Sequence, residues 1–211
     1  MEQKMYEYLD SLLAKVKGKI KAEVNHIGSM GFDELNVVNT KKATQAMFDR
    51  LLAENESAYM KVARKAYKKA LVDKKEEDLT PDWLMGVLLG YNLVTGYIYD
   101  REAERKRLRL NEQILTAREF SDRLMLRDSL RRTANLWWTQ TSQYGIDVVD
   151  AAVLRAYRRN GVTKVRWVTA KDEKTCVECR GRSDKIYKIS EIPPKTHYGC
   201  RCYFVPADEE E

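Results

Sequence analysis

Five side chains with soft donor atoms stand near the end of the chain. Cys176, Cys179, His197, Cys200 and Cys202 follow the spacing C-x2-C-x17-H-x2-C-x-C within 27 residues. They include all four cysteines and one of the two histidines; the other is His26. A tetrahedral divalent ion takes four S or N donors, commonly as two short-range pairs that the fold brings together. Gly181 follows the Cys176/Cys179 pair, where a tight turn with positive φ would aim backbone N–H groups at the thiolates. The second group offers three donors for two places. Cys200 and Cys202 flank Arg201 and would face one side of an extended segment, whereas His197 and Cys200 repeat the gap of the first pair. The pattern predicts structural zinc held by Cys176, Cys179 and Cys200, with His197 or Cys202 as the fourth ligand.

Two other readings use the same residues. Disulfides would suit an exported chain, but Met1 is followed by Glu2 and Gln3 rather than by a basic and then apolar leader. A reducing cytoplasm is therefore expected, where a thiol array more often binds metal. Reduced cysteines packed as small hydrophobes are the remaining alternative. Redox catalysis is disfavoured because the C-x-x-C pair does not read as opening a helix behind a strand. No catalytic constellation is present: no phosphate-binding glycine loop, no H-E-x-x-H, and no Ser or Cys motif near His26. A catalytic zinc would need an open position and a general base, and five clustered donors argue for a closed site. The chain is expected not to be an enzyme.

These donors must be held by the elements before and between them. Residues 1–24 predict an amphipathic helix with Met5, Leu9, Leu12, Leu13, Val16, Ile20 and Val24 on one stripe, ended by Gly28-Ser29-Met30-Gly31. Helical stretches follow from about Thr40 to Ala53 and from Ser57 to Val72, the latter burying Tyr59, Val62, Ala66 and Ala70. A polar linker at residues 74–78 precedes the clearest start signal, Thr80 as N-cap and Pro81 at the first helical position. That helix carries Leu84, Val87, Leu88, Tyr91, Val94 and Ile98, with Gly86 and Gly90 permitting close approach of a partner. Asp100 to Asn160 holds no proline and only Gly145, so it reads as one long helix or as several in series, stopped at Asn160-Gly161. Trp137 and Trp138 diverge by about 100° on a helix and cannot share one core, which puts one of them at an interface. Alternation then predicts strands at Val165–Thr169, Ile186–Ile189 and Cys202–Val205. The fold class is mainly α: an elongated multi-helix body over 1–161, subdivided near 74–80. A small β/Cys-His module over 162–206 and an acidic tail over 207–211 complete it. Such a small module gains much of its stability from a metal.

The Cys/His region also resembles a known signature. Trp167-Val168-Thr169-Ala170, then Asp172-Glu173-Lys174-Thr175-Cys176 with Cys179, then Pro193-Pro194, His197, Cys200-Arg201-Cys202 and a strand ending at Pro206 are similar to the C-terminal pattern of the phage Mu F-like minor head proteins. The likeness covers roughly the last third of the chain and begins around Gln140–Gly161. It departs in the displaced glycine at Gly181, and the N-terminal half matches no named motif. The resemblance implies a virion protein needed for head morphogenesis. It implies association with the portal, the major capsid protein or packaged DNA, and presence in the host cytoplasm during assembly.

Charge is the other guide to partners. The net charge of +6 and pI near 9.0 favour contact with polyanions but are modest for a dedicated DNA binder. Arg64, Lys65, Lys68 and Lys69, with Lys61, form a stripe that could meet phosphates or simply solvate a helix face. No apolar run reaches the 18–20 or so residues of a membrane helix. The alternative function is a zinc-ribbon nucleic-acid binder with a helical dimerisation domain, supported by Arg180, Arg182, Lys185, Lys188, Lys195 and Arg201 around the cysteines.

Overall fold

In the computed structural model the described residues are 3–71, 80–89, 95–169, 175–195 and 199–207. The chain runs α1 Gln3–Ser29, α2 Val37–Ala70, α3 Pro81–Leu89, α4 Thr95–Glu119, α5 Arg123–Arg159, β1 Lys164–Val168, α6 Val177–Arg182, β2 Ile186–Lys188, a 3-10 turn Ile189–Glu191 and β3 Tyr203–Pro206. It is mainly α with one antiparallel sheet of order β2-β1-β3, as expected. No described helix is long and apolar enough to cross a membrane.

Two compact units divide the chain: Met1–Ser11, Ala58–Leu93 and Ser142–Glu211 form the first, Leu12–Ser57 and Val94–Thr141 the second. Thus α1, α2 and α5 each supply residues to both. This division follows contacts, whereas the expected boundary at residue 161 follows chain order. The linker 74–78, the segment 90–94 with Gly90, Tyr91 and Val94, and the tail 208–211 lie outside the described residues, as do the side chains of Val87, Leu88 and Ile98.

The second unit buries Leu13, Val16 and Ile20 of α1, Phe48 and Leu51 of α2, Leu110 and Ile114 of α4, and Leu126, Leu130 and Trp137 of α5. The expected α1 stripe is therefore real, although the helix continues five residues past Val24, to Ser29. The tryptophans diverge as expected. Trp137 meets Phe48 edge-on at 5.3 Å, while Trp138 is half-buried under the Lys17 ammonium.

One expectation is corrected, and one alternative left open is decided. The stretches 40–53 and 57–72 are one helix, α2, of 34 residues. The polar run Glu54–Ser57 does not break it because Asn55 is fully buried and donates to Thr141 Oγ1, so packing overrides weak local propensity. Between α4 and α5 there is a break without glycine or proline. Ser121 takes φ 51, its N–H and that of Asp122 close onto the carbonyls of Arg118 and Ala117, and the Asp122 carboxylate caps the N–H groups of Leu124 and Met125 at 2.9 Å.

In the first unit, Tyr6 and Leu9 of α1, Val62, Ala63 and Ala66 of α2, and Val149, Val153 and Ala156 of α5 are buried, as are Val165, Trp167 and Phe204 of the sheet. Gly145 makes room there: a Cβ added to it would lie 2.9 Å from Leu9 Cδ1. Thr80 caps α3 through the Trp83 N–H, and α5 stops where Gly161 takes φ 79, both as expected.

Candidate metal centre

The module is built outward from Trp167. Its indole is fully buried on β1, edge-on to Phe204 of β3 at 5.2 Å, with the Arg182 guanidinium 5.2 Å over the ring. β1 pairs Trp167 with Phe204 and Val165 with both Tyr187 and Pro206. The sheet thereby sets the chain leaving β1 beside the chain entering β3, and these two stretches carry the cysteines. Cys176 is the N-cap of α6, its sulfur accepting from the Cys179 N–H at 3.3 Å. Two local expectations need correction here. The C-x-x-C pair does open a helix, although one of only six residues. Gly181 lies inside that helix with ordinary backbone, and the positive φ falls instead at Asp184 (63°) and at Gly199 (71°), just before Cys200. Cysteine is a serviceable cap through its sulfur, so the turn chemistry moved outward.

Cys179, Cys200 and Cys202 are buried with their sulfurs all within 4.8 Å of one another. The Cys179 and Cys200 sulfurs stand 3.6 Å apart. Zinc–sulfur bonds of about 2.3 Å at tetrahedral angles put two ligating sulfurs about 3.8 Å apart, whereas a disulfide needs about 2.05 Å. All four cysteines are free. The three thiols thus suit a tetrahedral ion. Cys176 is half-buried, and its sulfur is not within that close group; His197 lies outside the described residues.

The thiols differ in acidity. Burial pushes Cys179 up to about 12. Hydrogen bonding to Cys202, and then burial, also raises Cys200. That bond from Cys200, foremost, lowers Cys202, with a smaller contribution from the Trp167 indole. The Cys179 backbone N–H, foremost, lowers Cys176. A divalent ion held by these sulfurs would take the place of their protons.

Sequence reasoning missed the support behind the cluster. The Lys195 ammonium is buried against Asp150 of α5 at 2.6 Å, and the Tyr6 hydroxyl donates to the same carboxylate at 2.5 Å. The Tyr6 hydroxyl also lies 3.1 Å from the Cys202 carbonyl oxygen, and Arg201 pairs with Asp10 at 2.6 Å. Gln143 accepts from the Gly199 N–H at 3.0 Å and donates to Asp147. Burial, and then the Asp150 charge, push Asp147 up to about 6. The only sequence signal for this group was a tyrosine and two acids inside apolar helix stripes.

The basic candidates separate into two groups. Arg64, Lys65, Lys68 and Lys69 are exposed on α2, opposite the buried Val62, Ala63 and Ala66, with Lys65 stacked 3.6 Å over Tyr8. Around the cysteines, Arg182 donates to the Pro194 carbonyl, Lys188 pairs with Glu191, Lys195 with Asp150 and Arg201 with Asp10. Of that second set Lys195 is buried, whereas the Arg182, Lys188 and Arg201 contacts lie at the surface.

Comparison with known proteins finds one family. Residues 103–205, in the C-terminal part of the chain, match the family model of Phage Mu protein F like proteins. The match reaches back into α4, well upstream of the expected start near Gln140. Comparisons with curated proteins and with solved structures gave no match.

Proposed function

We propose, on the premise of a Mu F-like segment over residues 103–205, that this chain is a minor structural protein of a phage head. Its activity is architectural rather than enzymatic. The helical elements dock on the portal or the major capsid protein, and the C-terminal module stays folded around structural zinc. Cys179, Cys200 and Cys202 hold the ion, with Cys176 or His197 in the fourth place. The ion would supply cross-linking of two chain segments, the start of α6 and the stretch entering β3, and no chemistry on a substrate.

The observation that carries this reading is the buried three-thiol group lying inside the matched segment. It is favoured over a zinc-ribbon nucleic-acid binder by the family match, and of the six basic side chains nearest the cysteines Lys195 is buried in an ion pair with Asp150. A binder of that kind leaves such cations for phosphates. The exposed stripe Arg64, Lys65, Lys68 and Lys69 tolerates nearby packaged DNA without reading its sequence.

The test is incorporation. The wild-type chain is expected in purified heads assembled from its phage, and the Cys179→Ser/Cys200→Ser chain is expected to remain soluble and helical but absent from them. Absence of the wild-type chain from heads refutes the reading. Salt-steep, sequence-specific duplex binding would transfer support to the zinc-ribbon alternative.

A further inference from the structure

A groove of about 670 Å³ lies wholly within the second unit, lined only by residues of α1 and α5. The two helices run antiparallel along it. Gly28 of α1 lies against Leu130 of α5 at one end, and Lys17 lies over Trp138 at the other. Its apolar lining is Ile20, Val24, Leu130, Ala134 and the half-buried Trp138. The exposed cations Lys17 and Lys21 edge it from α1, and Arg127 and Arg131 from α5, Arg131 also pairing with Asp128 at 3.0 Å. Among the described residues no carboxylate lines it. Residues 17–28 and 127–138 each span about 16 Å, or three helical turns.

We propose that this groove seats an acidic amphipathic helix from a partner protein. The occupant has an apolar stripe about three turns long with Asp or Glu along both flanks. Three observations select it. Small residues, Gly28 and Ala134, line the groove and permit helix axes to approach to about 8–10 Å. Apolar lining gains free energy only by covering with apolar surface, which a phosphate backbone does not offer. The one aromatic that could stack a base, Trp138, already carries Lys17 over its ring. A second copy of this chain is a poor occupant, because its net charge is +6 and the groove edges are themselves cationic. The inference goes beyond the head reading and needs neither the metal nor the family match.

The test uses the full chain and a labelled synthetic helical peptide about four turns long, with leucines at i, i+3, i+4 and i+7 and glutamates on both flanks. Fluorescence anisotropy is expected to show saturable binding that weakens as salt rises. Lys21→Glu/Arg127→Glu should weaken it by about tenfold or more and bind a lysine-flanked version of the peptide better than wild type does. Ala134→Phe, which fills the groove without changing charge, should abolish binding of both peptides while circular dichroism stays unchanged. Failure of the glutamate peptide to saturate overturns the proposal, as does equal binding of the lysine-flanked peptide to the wild type. Indifference to either variant also overturns it. Competition by single-stranded oligo-dT, with the same sensitivity to the variants, would reassign the groove to nucleic acid and equally overturn it.

Discussion

Three thiols and one ammonium decide most of the chemistry. Cys179 and Cys200 both have raised pKa values, so metal loading near neutral pH must expel their protons. Zinc affinity is therefore expected to rise with pH, with proton release on loading, measurable by calorimetry in buffers of different ionisation enthalpy. Cys200→Ser should remove stoichiometric zinc from the purified chain, read by elemental analysis. Lys195 is a separate case because its ammonium is buried against Asp150. Lys195→Met leaves a buried carboxylate unpaired and should cost about 3–5 kcal/mol, measured by urea unfolding. Lys195→Met/Asp150→Leu should recover most of that loss. Asp147 adds a pH term with a definite sign. Its folded-state pKa is raised from 3.8 to about 6, so its favourable contribution is full below about pH 4 and is lost as pH rises through about 6. Asp147→Asn is then expected to raise the melting temperature at pH 8 and leave it nearly unchanged at pH 4.

At the scale of elements, the junction between α4 and α5 is the informative one. A serine occupies the left-handed position that glycine usually fills at a helix end, and an aspartate caps the next helix immediately. Ser121→Gly should stabilise the chain by up to about 1 kcal/mol by relieving the positive φ. Asp122→Ala should cost about 1 kcal/mol by orphaning the Leu124 and Met125 N–H groups. Thermal denaturation of both variants checks the pair. In α2, the opposite occurs: a sequence that looks interrupted is continuous, with Asn55 buried and its side-chain amide N–H reaching Thr141 Oγ1.

For the whole molecule, the cysteine-bearing segment is not a free-standing appendage. Tyr6, near the N-terminus, reaches the Cys202 carbonyl, and Asp10 reaches Arg201, so residues nearly 200 positions apart share one unit. Removing residues 1–11 should therefore loosen the metal centre. The expected readout is faster zinc loss to a chelator, compared with the full chain, at unchanged zinc stoichiometry before the chelator is added.

The one-dimensional pattern was sufficient for some features because short-range chemistry dictates them. The 3.6-residue stripes placed the helical stretches, the change to alternation placed the three strands, and two tight clusters of donors pointed to the thiol group that could hold a metal. Asn160-Gly161 and Thr80-Pro81 were legible for the same reason: caps are local. Folding alone determined that Cys202 joins Cys179 and Cys200 at one point while the Cys176 sulfur stands outside that group. It also chose Lys195, Asp150 and Tyr6 as their support, and left an apolar trough between two cation-edged helices. Those outcomes depend on which faces meet across long stretches of chain, and no local spacing rule encodes a meeting of that kind.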